Sequence, residues 1–391
     1  MYNHRVSKTP TEKRDPWIDV IRGLAISGVV AVHSVQTADS LLVSYSINPS
    51  PVISYVIGLG KYGVELFFFI SGYLLVSIYP MEGKELGKKY VIRRIARIMP
   101  LWTLFLIFQI MRSRIGNGGG GWQVATSENS SEWPILHNPF VVVVLTLTFT
   151  LWISASLWNT VIPGGWSIQA EVAHYFLYPV VKKIALPNIM FALTTINFFT
   201  FCLNAYFEVK KLTGFPIGVA YIWEAWVRLN LFSTFSYFLL GMIGHAVIKE
   251  FAISNSWHSS FASIRITKLN AISFLLALFL APLAFGTNLE AITFVLVTIL
   301  ASRGIIKFQW AKGCLINLGK YSYFIYFCHF QVFSLITFVM IRKVDSLDIL
   351  GNQILVFSSI FATTMIVSTF LGYISFKFLE SPIMKIANSV N

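Results

Sequence analysis

Apolar runs of about twenty residues recur along the whole chain, separated by short polar or basic stretches. Such a run is the length an α-helix needs to cross a hydrocarbon core about 30 Å thick at about 1.5 Å per residue. The pattern predicts spans at about 17–37, 60–79, 98–112, 167–183, 187–206, 230–248, 270–286, 288–303, 318–338 and 353–378. Segment 139–158 is apolar too, but its pattern does not decide whether it crosses. Residues 113–138 read as a loop, with Gly118 to Gly121 in a row. That run lacks the Lys-Ser/Thr and the preceding strand of a phosphate-binding loop, so it is a flexible linker. Residues 1–16 are polar and basic, and no Ala-x-Ala cleavage site follows the first run, which reads as a retained span.

Composition agrees with the pattern. Charged residues make up 12% of the 391 and hydrophobic ones 55%, whereas a soluble domain carries about a quarter charged residues. Mean hydropathy is +0.68. The net charge of +13 raises nucleic acid as a partner. However, Lys and Arg lie in short linkers between apolar runs, where the positive-inside rule puts them, and no nucleic-acid partner is expected. The same rule orients the chain. If 139–158 does not cross, Lys182/Lys183, Lys249/Arg265/Lys268, Arg303/Lys307/Lys312 and Lys377/Lys385 share a side with the basic linker 84–97. Lys210/Lys211 and Arg342/Lys343 remain exceptions. The expectation is an all-α, polytopic transmembrane helical bundle of about ten spans with both termini cytoplasmic. Residues 1–16 and 381–391 are its tails, 17–380 its membrane domain, and 139–158 a re-entrant or surface segment. Cys202, Cys314 and Cys328 form no disulfide or zinc pattern, and no internal transporter-type repeat is visible.

Candidate chemistry starts in the first span. Eleven residues separate Arg22 from His33, close to a whole number of turns, so both project with Asp19 from roughly one face, about 16 Å apart along the axis. Ionisable residues inside a span are costly and point to function. Glu65 opens the second span, with Ser71 and Gly72 further in; Glu171 follows Gly164-Gly165-Trp166-Ser167. Gly319, Ser322, Tyr326 and His329 form a polar stripe on one helix, and Glu380-Ser381-Pro382 closes the last span. Each has a plainer reading. His33 fits an interhelical hydrogen bond, Arg22 a side chain snorkelling to the interface, and Glu65 and Glu171 solvated interfacial carboxylates. The stripe fits packing, and the basic linker fits a topology signal. Glu171-x-x-His174 echoes a bridged metal motif without the second copy it needs, so no metal is expected. Taken together, an arginine cluster at one face and a histidine towards the other suit a donor with a phosphate-rich head and a reactive tip about 15–20 Å away.

At these residues the sequence resembles membrane acyltransferase family 3, the multi-span O-acyltransferases. The resemblance runs from Asp19 to Pro382 in six ordered blocks. They are Asp19-x-x-Arg22-Gly23 with Arg22-x10-His33; Gly63-Val64-Glu65-x-Phe67-Phe68-x-x-Ser71-Gly72; Arg93-Arg94-x-x-Arg97-x-x-Pro100; Trp166-Ser167-x-x-x-Glu171; Gly319-x-x-Ser322-Tyr323-x-x-Tyr326-x-x-His329; and Glu380-x-Pro382.

The resemblance implies transfer of an acyl group, usually acetyl, from cytosolic acyl-CoA to a hydroxyl. The acceptor would be a cell-surface carbohydrate such as lipopolysaccharide O-antigen or exopolysaccharide, or a lipid-linked sugar. The setting would be the lipid bilayer of a bacterial cytoplasmic (inner) membrane. His33 would be the catalytic histidine and Arg22 its partner; Glu65, Ser71 and Glu171 would line the site. Arg93, Arg94 and Arg97, with Tyr326 and His329, would serve the donor. His33 would act as general base or as acyl carrier. Glu171 or Glu65 would orient its ring, and Ser71 or the Trp166 indole would donate to the oxyanion. The competing reading is a multi-span transporter with an intramembrane His/Glu relay.

Overall fold

The protein is described by a computed structural model covering residues 16–80, 86–115, 138–154, 157–159, 161–184, parts of 188–206, 231–253, 312–343 and 352–390. The expected spans 270–286 and 288–303, most of loop 113–138 and the tail 1–15 lie outside the described residues.

All described regular structure is helical. Helix α1 spans Pro16–Ser44 and runs past the expected end at 37. Thr37, Ser40 and Ser44 each turn the hydroxyl back onto a carbonyl of their own helix, so polar residues beyond the apolar run stay helical. Helix α2 (Pro51–Gly58) passes through a 3₁₀ turn, Leu59–Tyr62, into α3 (Gly63–Ile78). Helix α4 covers Lys88–Ile115 and carries Pro100 inside it. The basic stretch expected as a linker is therefore partly helix. Charge ends the apolar pattern there, but Lys and Arg are good helix formers. Helices α5 (Pro139–Leu147), α6 (Gly165–Val181), α7 (Leu231–Ile253), α8 (Lys312–Lys343) and α9 (Gln353–Ser375) follow. After α9 the chain makes one π-helical turn, Phe376–Glu380, then α10 (Ser381–Ser389). Pro382 at the start of α10 removes a backbone donor next to that turn, a usual setting for a π-bulge.

Among the described residues, four helical stretches are long and apolar enough to cross a membrane: Pro16–Ser44, Pro51–Ile78, Gly313–Met340 and Gln353–Ser389. The ambiguous segment 139–158 forms only the nine residues of α5 and a short 3₁₀ turn, Leu151–Ile153. Nine residues rise about 13 Å, too little to cross as a helix. Helix α5 stops where Phe149 adopts a left-handed φ of 58°. The Phe149 ring stacks 5.0 Å from Trp102, whose indole N–H donates to Thr146 O at 2.8 Å.

Helix α1 is the centre. It packs along α8 and touches α3 and α9; α3 in turn packs on α7. Glycines allow the two tightest crossings. Gly319 of α8 lies against the Asp19 backbone, and Gly23 of α1 against that of Leu315. Gly72 and Gly241 likewise bring α3 and α7 into backbone contact at Phe238 and Phe69. Without a hydrophobic driving force between helices in lipid, such close backbone approach is what holds spans together. The outward face, including Phe176, Ile366, Phe370 and Phe378, is apolar and exposed, as a lipid-facing surface would be.

Candidate active site

The candidate residues gather at two separate cavities. Arg22 on α1, Ser71 on α3, Arg93, Arg94 and Arg97 on α4, Glu171 on α6 and Tyr326 on α8 line one cavity of 510 Å³. Met384 and Asn388 of α10 border it on the arginine side. Four guanidinium groups against one carboxylate make it an anion site.

The arginines are held before any ligand arrives. Arg94 sits over three rings, 5.0 Å from Tyr175, 5.6 Å from Tyr90 and 5.7 Å from Tyr79. Tyr90 locks the cage by donating to Tyr175 O at 2.7 Å, and Tyr178 donates to Tyr79 O. Burial pushes the Tyr90 hydroxyl well above its ordinary pKa, so it remains a donor. Arg97 and Arg22 both act on Glu380, which accepts a 3.0 Å bond from Ser375 Oγ. The π turn thus places a carboxylate beside two of the cavity's cations.

Midway, Glu171 Oε1 accepts from Ser71 Oγ at 3.1 Å and from the Tyr175 hydroxyl. A hydroxyl has one proton, so Ser71 has none left for a ligand while that bond stands. Tyr323 also lines the cavity, and its hydroxyl is buried without a hydrogen-bond partner among the described residues. Farther along, Tyr326 accepts from Ser167 Oγ at 2.7 Å and donates to Gly164 O at 3.0 Å. Gly164 has φ +77°, and a Cβ there would meet Phe330 and Tyr326. Ser167 and Tyr326 bring this knot to the wall of the cavity.

His33 lies beyond it. Its ring stacks on His329 at 5.4 Å and 27°, and tilts against Phe330 at 4.6 Å. His33 Nδ1 pairs with Gln36 Oε1 at 2.8 Å. An amide oxygen only accepts, so Nδ1 is the donor in this pair, and in the neutral ring Nε2 is then the acceptor. His329 repeats the arrangement: Nδ1 donates to Ile325 O at 3.1 Å, while Nε2, fully buried, has no partner among the described residues. The two imidazoles therefore sit together beyond Tyr326, outside the arginine-lined cavity. On its other side, His33 lines a second, more open cavity of 510 Å³ between α1 and α8.

The structure thus gathers Arg22, Ser71, Arg93, Arg94, Arg97, Glu171 and Tyr326 at one cavity, and puts His33 at the other. His329 and Glu65 line neither; His329 backs His33, and Glu65 lies close enough to Tyr326 to act on it electrostatically. The Trp166 indole packs between Phe68 and Trp158, while the adjacent Ser167 faces the cavity. His174 belongs to packing: Nε2 meets Thr234 Oγ1 at 3.3 Å inside a cage of Phe68, Phe235 and Phe238. Tyr175 and Gln36 carry no sequence assignment, and Tyr323 stands in the Gly319 to His329 block without a role of its own. Spacing could have found two of them, since Tyr175 follows Glu171 by one turn and Gln36 follows His33 by three residues.

The family model described as an acyltransferase domain, family 3, matches residues 15–373. The chain belongs to acyltransferase family 3. It is accordingly a membrane acyltransferase, which sets aside the transporter reading. No curated protein and no solved structure matches the chain at the same standard.

Proposed function

We propose that this family 3 acyltransferase moves an acyl group, acetyl in the first instance, from acyl-CoA to a hydroxyl of a cell-surface carbohydrate or lipid-linked sugar. The observation that carries the reading is the cavity that begins among Arg22, Arg93, Arg94 and Arg97 and reaches the knot behind His33. Guanidinium groups grip phosphates bidentately, so the donor's polyanionic head belongs at the arginine end and its thioester near Tyr326. The arginine end faces the cytoplasm of a bacterial inner membrane on this reading, as the positive-inside rule requires.

His33 Nε2 takes the proton of the acceptor hydroxyl as that oxygen attacks the thioester carbonyl. The new C–O bond forms, the C–S bond breaks, and the proton passes from His33 to the departing CoA thiolate. In the alternative order, Nε2 attacks the carbonyl first and the acyl-imidazole hands its group to the acceptor. Gln36 holds the tautomer that leaves Nε2 free, and Glu171 orders Ser71 and Tyr175 around the passage.

The test is transfer of radiolabelled acetyl from acetyl-CoA to host surface glycan by purified protein in nanodiscs. Label is expected in glycan with wild type and not with His33→Ala, which keeps acetyl-CoA binding. Equal transfer by His33→Ala would overturn the assignment of the base.

A further inference from the structure

The second cavity is more than an exit for His33. It is a groove between two helix faces, with His33, Gln36 and Ser40 on α1 and Phe330, Phe333 and Ser334 on α8. Its described lining carries no charged side chain besides whatever the His33 imidazole bears. That contrasts with the four arginines of the donor cavity.

The hydrogen bonds say more than the residue types. Thr37 Oγ1 donates to His33 O at 2.7 Å, Ser40 Oγ to Gln36 O at 2.8 Å, Ser44 Oγ to Leu41 O at 2.6 Å and Ser334 Oγ to Phe330 O at 3.1 Å. In each case the single proton is spent on the residue's own helix, so the oxygen presents only lone pairs to the groove. His33 Nε2 is also an acceptor. The Gln36 amide nitrogen, its Oε1 being held by His33, and the Thr337 hydroxyl are the donors left in the described lining. A phosphate or carboxylate entering here would face lone pairs with no cation to offset its desolvation. A ligand rich in hydroxyl donors would satisfy them, and the faces of Phe330 and Phe333 offer an apolar surface for a ring's C–H groups.

We infer that this groove is the acceptor subsite, and that the ring it takes is a neutral hexose, not an anionic sugar. The inference rests on the reading of the donor cavity above. Acceptor charge, if present elsewhere in a polymer or lipid carrier, stays outside the groove. The reaction balances as already written: the hexose oxygen gains the acyl carbon, CoA leaves, and the hydroxyl proton ends on the thiol.

The experiment uses full-length protein in nanodiscs with radiolabelled acetyl-CoA. Acceptors are the methyl glycosides of glucose, galactose, mannose and rhamnose, with methyl glucuronide and glucose 6-phosphate as anionic counterparts. Octyl glucoside, below its micelle concentration, supplies the same neutral ring from the bilayer; its preference over methyl glucoside marks a lipid-borne acceptor. At least one neutral glycoside is expected to be acetylated ten times faster than either anionic probe. Ser334→Trp fills the groove at an exposed position, and Gln36→Ala removes one of its donors. Both are expected to raise acceptor KM about tenfold or more with KM for acetyl-CoA unmoved, a split that a folding defect would not give. Ser40→Lys is expected to admit the anionic probes. Acetylation of glucuronide at the neutral rate, no neutral glycoside acetylated by protein that binds acetyl-CoA, or unchanged acceptor KM in Ser334→Trp would each overturn the inference. Absence of saturable acetyl-CoA binding by wild type would instead overturn the donor reading, and this one with it.

Discussion

Gly319→Ala tests the crossing on which the histidine pair depends. A methyl at Gly319 would meet the carbonyl oxygen, carbonyl carbon and Cα of Asp19, all of them backbone. No side-chain rotamer can relieve that overlap, so α1 and α8 must part. Overpacking of this kind costs about 1–3 kcal/mol. The gain in helix propensity of Ala over Gly offsets about 1 kcal/mol. The net expected loss is therefore up to about 2 kcal/mol by difference. The effect on chemistry is larger. His33 on α1 and His329 on α8 are stacked across this same crossing, and a displacement of about 1 Å at a reacting group can cost about a hundredfold. Gly313→Ala is the control, because nothing lies within 4 Å of a Cβ built there. Thermal unfolding followed by tryptophan fluorescence in detergent, beside acetyl-transfer rates in nanodiscs, reads both effects. Gly319→Ala is expected to melt lower and lose most activity, whereas Gly313→Ala matches wild type. A Gly319→Ala protein with wild-type melting and rate would refute the claim that backbone contact sets the site.

Two further outcomes follow from the donor cavity. Arg97→Ala should raise KM for acetyl-CoA at least tenfold, since a charge-assisted bond is worth about 1.5–3 kcal/mol, and high donor concentration should recover the rate; an unchanged KM would remove Arg97 from donor binding. Glu171→Gln keeps an oxygen for Ser71 and Tyr175 but not its charge, so those bonds weaken to neutral ones. A loss of about 1 kcal/mol is expected in thermal unfolding, and Ser71→Ala added to it should cost less than in wild type.

Much of this was legible in the sequence because it is written in local repeats. Apolar runs gave the helices, and 3.6-residue periodicity put Arg22 and His33 on one face of α1. The basic triplet, Ser71, Glu171 and Tyr326 meet at one cavity although they come from four helices far apart in the chain. What the periodicity could not supply was direction across helices. His329 shares a stripe with Tyr326, yet one turn along α8 carries it past the Gly164 knot to the other side, behind His33. Trp166 and Ser167 are neighbours in sequence and face opposite ways on α6. The apolar pattern also misjudged helix ends. Hydroxyls folded back on carbonyls extend α1, and a long-chain basic stretch extends α4 towards the arginine end.

The wall between the cavities is the step the chemistry must solve, and it gives the last test. Phe330 lies 4.6 Å from His33 and 4.1 Å from His329, and its Cε2 is 2.9 Å from where a Cβ on Gly164 would stand. Its ring therefore fills the space between the knot at the wall of the donor cavity and the base that opens on the groove. On the proposed route a thioester brought to Tyr326 would be shielded from groove water by that ring, and exclusion of water is what separates transfer from hydrolysis. Phe330→Ala should unplug the passage. Acetyl-CoA hydrolysis without acceptor is expected to rise about tenfold relative to transfer, equivalent to about 1.4 kcal/mol of lost discrimination. Rapid quenching with labelled acetyl-CoA and no acceptor reads the same event from the enzyme. If wild type accumulates label on His33 and Phe330→Ala does not, the ring protects an acyl-imidazole. If neither accumulates label while hydrolysis rises in the variant, transfer is direct and the ring guards the thioester itself. Hydrolysis unchanged in Phe330→Ala would mean that the acyl group never passes this point, and the route from the arginines to His33 would have to be drawn elsewhere.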